Sequence, residues 1–420
     1  MAKPKLALIP CTQGYFYSSV LPSDGSGDFR GGRSGKATRI NSQGLIEEVD
    51  DGVSRLNYPM IDGKVVGCPH HILEPQRTNI ATYSEDYGNS SWIKLNGTVS
   101  TNVTTSVDGS VNADLFLPNT TSGVHALRSN IFNQSSTASH SWFVKANGYN
   151  KVAVRESELV GNYASFDLSI GSVISTNQNA SIVNFGNGWY RLTLVDTTTG
   201  ANAQTSIVVL PESYTSGNPL VNWSGDGIKG IYVFGTQVEI GSYPTSYLKT
   251  SSSSYTTRSA ETANGSGDAA TFNDSEGVLM AEISKIDISQ SLGSLFLMKD
   301  LDNSIRLNFS TSNRFNFFVK VGGVNQVDFD TYNYELEDYN KILVSYKLNE
   351  YSLWFNGYKI FTDTNATVSS GLNELKYNDF YGNTKQIQYY NSALTDSELE
   401  QLTSWVSFED MANGQQYSIK

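Results

Sequence analysis

Apolar and polar positions alternate in short runs along most of the chain. SHSWFVKA (139–146), YNKVAVRES (149–157), WYRLTLVDT (189–197) and GIYVFGTQVEI (230–240) place every second side chain on one face, the period of a half-buried strand. QTSIVVL (204–210) is a short continuous apolar run. Turn residues fall between these stretches at the spacing of a sandwich or barrel. The theme resumes with GVLMAEISKI (277–286), GSLFLMKD (293–300), SIRLNFS (304–310), RFNFFVKV (314–321), NKILVSYKL (340–348) and KQIQYYN (385–391). YSLWFNGYKIF (351–361) is a strand–turn–strand hairpin, because Asn356-Gly357 suits a two-residue type I′ turn.

One stretch has the other period. In ALTDSELEQLTSW (393–405), Thr395 or Asp396 can cap a helix, Glu398 sits where a capping box places an acid, and Leu399 and Leu402 share a face. Residues 1–78 hold six of the ten prolines, a basic cluster (Arg30, Arg33, Lys36, Arg39) and only brief strand candidates: KLALI, ATRI and LIEEV. A segment of that kind rarely buries a full core alone, so it is expected to pack on neighbouring chains or on a larger body. A Ser/Thr-rich stretch at 251–268 reads as a linker. The fold class is therefore all-β: an irregular N-terminal assembly module (1–78), a first sandwich (79–250), the linker (251–268), a second sandwich (269–406) and a tail (407–420).

Composition supports strands and narrows the partners. Tyr (24) and Phe (19) far outnumber Met (5), and such residues fit pleated, half-buried surfaces. The net charge of −12 argues against nucleic acid, which requires a basic face to displace counterions. No apolar run approaches the ~18 residues of a membrane span, and the apolar stretch in MAKPKLALIPC is too short for a signal-peptide core. Synthesis in the cytoplasm is expected, and free thiols at Cys11 and Cys68, the only two cysteines.

DFRGGRSGKATRINSQGLIEEV (28–49), SRLNYP (54–59) and HHILEPQRTNIATYSEDYGNSSW (70–92) together resemble the opening of many bacteriophage virion proteins. The matching residues are Arg33, Ala37, Thr38, Arg39, Asn41, Gly44 to Glu47, Leu73 to Asn79, and Tyr83 to Asp86 with Trp92. GNGWYRLTL with GTQVEIGSYPTSYLKT is similar to the carbohydrate-binding-module-like jelly roll of phage tail proteins. NKILVSYKLNEYSLWFNGYKIFTDT with QIQYYNSALTDSELEQLTSW resembles the concanavalin A/laminin-G-like domains of phage fibres. The chain departs at RSGKA, where the family often reads Arg-Ala-Ser-Ser/Thr-Ala. The resemblance implies a non-enzymatic structural appendage on tail or head, located in the virion. Its partners would be other virion proteins, two further copies of itself in a homotrimer, and host cell-surface glycans. Two alternatives are a decoration or spacer that binds no sugar, and a polysaccharide-depolymerising spike.

Candidate chemistry is weighed on that background. Gly31-Gly32 and Gly35-Lys36 suggest a phosphate loop, but Arg30 stands where its first glycine belongs and Ala37 follows the lysine. Assembly is the better role, with Arg33, Arg39 and Arg77 in interfacial ion pairs. His70 and His71 point to opposite faces of a strand, so no shared metal is expected there. Asp300, Asp302 and Asn303 offer oxygens suited to Ca²⁺ without a full loop pattern, and no other cofactor is indicated. Carboxylates are plentiful but fall in no glycosidase, hydrolase or zinc-protease signature. For sugars, aromatics in polar loops are the best stacking platforms: Tyr149 in ANGYN and Trp223 in NWSGDG, with Trp92 and Tyr190 as further candidates. Trp142 and Trp189 are assigned to the core, on alternation that separates Trp189 from Tyr190.

Overall fold

A computed structural model describes residues 3–10, 19–156, 162–197, 200–286, 293–311 and 313–406. Cys11 and the expected tail, 407–420, lie outside the described residues. Among the described residues the chain is all-β apart from one helix, Asp396–Thr403. That helix starts as its sequence demands: Thr395 caps it, and Thr395 and Glu398 satisfy each other's backbone N–H groups in a capping box. Leu399 buries itself against Val278, Leu343 and Trp354. At the hairpin, Asn356 and Gly357 both take positive φ, +47° and +88°, as a type I′ turn requires.

The first sandwich consists of two six-stranded antiparallel sheets. One runs in spatial order Ile93–Leu95, His125–Arg128, Thr205–Val209, Lys151–Glu156, Tyr163–Asp167, Ser172–Thr176. The other runs Gly97–Thr105, Val111–Pro118, Gly230–Ile240, Ala138–Asn147, Trp189–Asp196, Asn179–Gly186. Alternation sorts the side chains. Trp142, Val144, Leu192, Leu194, Ile231 and Val233 meet Val152, Val154, Phe166, Ile207 and Val209 across the interior. The opposite set, Ala113, Phe143, Trp189 and Phe234, faces away from that interior, yet it too is buried, under Ile46, Val107 and Tyr247. A sheet normally solvated on one side is here covered on both.

The second sandwich sets a five-stranded sheet against a nine-stranded one. Part of the larger sheet comes from the beginning of the chain. Leu6–Leu8 pairs with the long strand Gly382–Tyr390, with Leu6 opposite Tyr389. His70–Leu73 pairs with the other end of the same strand, with Leu73 opposite Gly382. Leu6, Leu8 and Leu73 are at most 3% exposed and share one core with Leu279, Ile342, Phe317 and Ile387. The expected N-terminal module is thus no free-standing attachment piece. Its strands complete the second sandwich, and its hairpin, Ala37–Ile40 with Ile46–Val49, covers the first. It packs on a larger body, and that body is the rest of its own chain.

The expected linker is also corrected. Thr256–Arg258 pairs with Arg77–Asn79, and Thr262–Asn264 pairs with Arg30–Gly32. Ser/Thr-rich composition fits strand ladders as well as linkers, and here backbone pairing decides. The free-thiol expectation fails at Cys68, which is disulfide-bonded.

These crossings enclose a cluster of buried charge. Arg33, Arg55, Glu74, Arg258 and Glu261 are all under 9% exposed. Arg33 reaches Glu261 at 2.9 Å, while Arg55 and Arg258 both reach Glu74 at 2.7 Å. Arg55 also pairs with Glu261. Carbonyls take further donors: Val49 and Val53 accept from Arg33, Thr38 from Arg55 and Pro75 from Arg258. Backbone N–H groups of Glu74 and Ser246 donate back to the carboxylates at 3.0 and 2.9 Å. The arginines hold both carboxylates below the usual range, against a burial effect that alone would raise them. Removing one partner of such a network strands the others in low dielectric. Glu261→Gln is expected to cost about 3–5 kcal/mol by urea unfolding, and a loss under about 1 kcal/mol would mean the cluster is not what fastens these segments.

Burial acts on histidines with the opposite consequence. It lowers His70 to about 3 and His71 to about 4, so both are neutral in the folded chain at mild acidity. Unfolded histidine titrates near 6.5, so between about pH 6.5 and pH 4 the unfolded chain binds more protons and stability falls as pH falls. Asp28 and Asp114, raised by burial to about 6, work in the other direction. A substitution isolates the histidine contribution. His71→Gln should lose less stability than the parent between pH 7 and pH 4.5 in urea titrations, and equal losses would refute the assignment.

Candidate glycan-binding groove

The sequence-chosen aromatics are dispersed. Trp92 is 2% exposed. Its ring packs on Tyr87 at 4.9 Å and Trp142 at 5.3 Å, and its Nε1 donates to the Tyr83 carbonyl. It is core, and not a surface platform, because the 83–92 segment folds inward over the end of the sandwich. Tyr149 and Trp223 do meet, edge to face at 5.0 Å, but Tyr149 is buried and Trp223 half-buried. His125 packs edge-on against the same indole at 4.7 Å, Trp223 Nε1 donates to the Val209 carbonyl, and the Tyr149 hydroxyl accepts from Asp226 N. The pair therefore braces the 222–229 loop. Tyr190 faces the interior, half-buried, against the edge of the same core.

The assembly arginines are likewise occupied within the chain. Arg33 belongs to the buried cluster, so it has no surface from which to pair with another molecule. Arg39 pairs with Glu47 across its own hairpin at 3.2 Å. The Arg77 guanidinium lies over the Tyr243 ring, 5.1 Å from its centre. The acids considered for Ca²⁺ form a hairpin turn: Asp300 accepts from Asp302 N and Asn303 Nδ2, and Asp302 pairs with Lys320 at 3.0 Å.

What the fold does create is a groove of about 620 Å³ where the N-terminal hairpins lie on the outer face of the first sandwich. Phe185 forms its aromatic floor with the buried Trp189 behind it, and Gln43, Lys64, Lys145 and Asn187 line its walls. Phe185 is only partly buried and is held upright by Phe143, edge to face at 4.9 Å. Trp189 is anchored by Nε1 donation to the Thr105 carbonyl at 3.1 Å. Gly186, Asn187 and Gly188 all take positive φ, +79°, +52° and +81°, which folds this turn back on itself. The opposite wall is brought close by glycine on both sides. A Cβ on Gly63, whose φ is +74°, would stand 2.5 Å from Gly186 N, and one on Gly186 would stand 2.6 Å from the Gly63 carbonyl. Leu45 packs over Gly109, and Ile46 N donates to the Val107 carbonyl at 2.9 Å, fixing the third side.

An aromatic floor with amide and ammonium walls is chemistry suited to a sugar: ring C–H faces stack on the aromatic ring while hydroxyls find polar partners. Sequence reading missed this site because its walls come from residues 42–45, 63–65, 104–107 and 185–189, which only the fold brings together. Its nearest sequence signal was GNGW, the turn ahead of Trp189.

No family model matches the chain, and no curated protein matches it. Solved structures do. The CBM40 module of the Ruminococcus gnavus IT-sialidase bound to α2,3-sialyllactose is 17% identical over 34% of this chain and 94% of its own, with a TM-score of 0.29. Domain 4 of AbnA, a GH43 extracellular arabinanase from Geobacillus stearothermophilus in complex with arabinotriose, is 14% identical over 34% of this chain and 73% of its own, with a TM-score of 0.28. Trypanosoma rangeli sialidase in complex with sialic acid is 12% identical over 73% of this chain and 61% of its own, with a TM-score of 0.27. Likenesses this distant say nothing of what the present chain binds; the groove is judged on its own residues.

Because two glycines meet backbone to backbone at the groove's rim, Gly63→Ala should displace the 61–64 turn. The expected loss is about 1–3 kcal/mol from backbone strain, with faster proteolysis between residues 58 and 68. Unchanged stability and cleavage would mean the turn is not seated as described.

Proposed function

We propose that this chain is a structural appendage protein of a bacteriophage virion, on tail or head, and that it adheres to host-surface glycans through the groove beside Phe185. The observation that carries the adhesive part is the groove itself, an aromatic floor walled by amides and ammonium groups at the joint of two segments. The virion part is supported by the resemblance of residues 28–92 to phage virion proteins. An acidic exterior, with net charge −12, also suits a protein whose partners are not nucleic acids.

The reading is of binding and not of cleavage. Glycoside hydrolysis uses a pair of carboxylates about the scissile bond, and among the described residues no carboxylate lines this groove. A single shallow site of this kind binds weakly, so useful adhesion comes from several copies acting together, in a homotrimer and across the particle.

Purified full-length chain on an array of host-surface oligosaccharides should bind a subset of them, and Phe185→Ala should weaken that binding about fivefold, as loss of about 1 kcal/mol of ring contact implies. Binding that ignores Phe185→Ala would place the sugar elsewhere. Binding to no glycan at all would favour a spacer. Gold-labelled antibody against the chain should decorate tail or head appendages in electron micrographs of particles.

A further inference from the structure

The geometry points to a saccharide bearing carboxylate groups, a uronic or ulosonic acid unit, as the ligand of the Phe185 groove. This inference rests on the glycan-binding reading above and adds the charge class of the sugar. It starts from an imbalance. The chain carries 41 acidic against 29 basic residues, yet the charged residues lining the groove are Lys64 and Lys145. Among the described residues neither lysine forms an ion pair, and no acidic side chain lines the groove beside them.

The two lysines come from different elements. Lys64 stands at the end of the exposed Ile61–Lys64 turn, and Lys145 lies on the strand Ala138–Asn147 beside Gly188. The neighbouring acids are turned to other work. Asp108, just past the lining residues 104–107, accepts from Ser106 Oγ, Ser110 N and Asn112 Nδ2 at 2.7 to 2.8 Å. Asp62 is exposed and does not line the groove. A neutral sugar would leave both groove lysines with no counter-charge. A carboxylate between them receives charge-assisted hydrogen bonds, while Gln43 and Asn187 serve hydroxyls and Phe185 takes a ring face. Phosphate esters would satisfy the lysines equally, but a planar carboxylate set directly on a pyranose ring keeps that ring against the aromatic floor.

The test uses matched pairs of probes with the full chain: an oligosaccharide of alternating uronic acid units against its carboxyl-reduced form, and sialyllactose against lactose. We expect at least one acidic member to bind tenfold or more tightly than its neutral twin, with the preference shrinking as salt rises from about 50 to 500 mM. Lys64→Gln/Lys145→Gln should abolish the preference while leaving the urea midpoint unchanged, since neither lysine supports the fold. Equal binding of acidic and neutral twins would overturn the charge inference and leave the glycan reading standing. A preference that survives the double substitution would also overturn it, placing the acid elsewhere. Binding of neither twin by the parent chain would remove the glycan reading itself. Tighter binding of sulfated or phosphorylated oligosaccharides than of either acidic probe would overturn the carboxylate assignment alone.

Discussion

Arg55 has no exposed surface, and its guanidinium grips two carboxylates that arrive from different parts of the chain. Everything else in the architecture is consistent with that grip. Glu74 lies just ahead of the first sandwich in sequence, Glu261 lies in the segment that joins the two sandwiches, and Ser246 closes the first. Such a cluster is a poor source of net stability, because desolvating five charged groups costs about as much as their attraction returns. Its value is specificity. Three arginine forks and two carboxylates accept only one relative placement of the segments that carry them.

That placement has consequences at both ends of the molecule. With 74–79 and 256–264 held, the strands Leu6–Leu8 and His70–Leu73 reach the edge strand of the second sandwich and extend its sheet. With Arg33 anchored to the Val49 and Val53 carbonyls, the hairpin of 37–49 is laid over Phe143, Trp189 and Phe234. The groove is what remains where hairpin and sheet do not quite close. Its aromatic floor is a consequence of covering a sheet on its second face, and its polar walls are the turns that had to remain near water.

Arg33, Thr38, Glu74 and Arg77 thereby acquire a physical role. They do not reach outward. Arg33 and Glu74 fill the cluster, Thr38 Oγ1 donates to the Tyr247 carbonyl at 2.7 Å, and Arg77 lies on Tyr243.

Local order was legible from the sequence. Period-two alternation marked the strands around Trp142, Leu192 and Val233, Asn356-Gly357 marked a hairpin, and Thr395 with Glu398 marked the helix start. Each depends on neighbours in the chain, so each is written in it. Long-range choices were not. Alternation separated Trp189 from Tyr190 correctly but could not say that the outer face would be covered too, or that Tyr190 would be the inward one. The Ser/Thr-rich 251–268 stretch has the composition of a linker and the backbone pairing of two strands, because Thr suits both. Trp92 and Trp223 were both candidate stacking platforms, yet one entered the core and the other became a brace. The sequence determined strands, turns and one cap, since those are set within a few residues. Which arginine is buried, which aromatic is reachable and where a groove opens depend on partners brought together from distant parts of the chain, and only the tertiary structure could supply them.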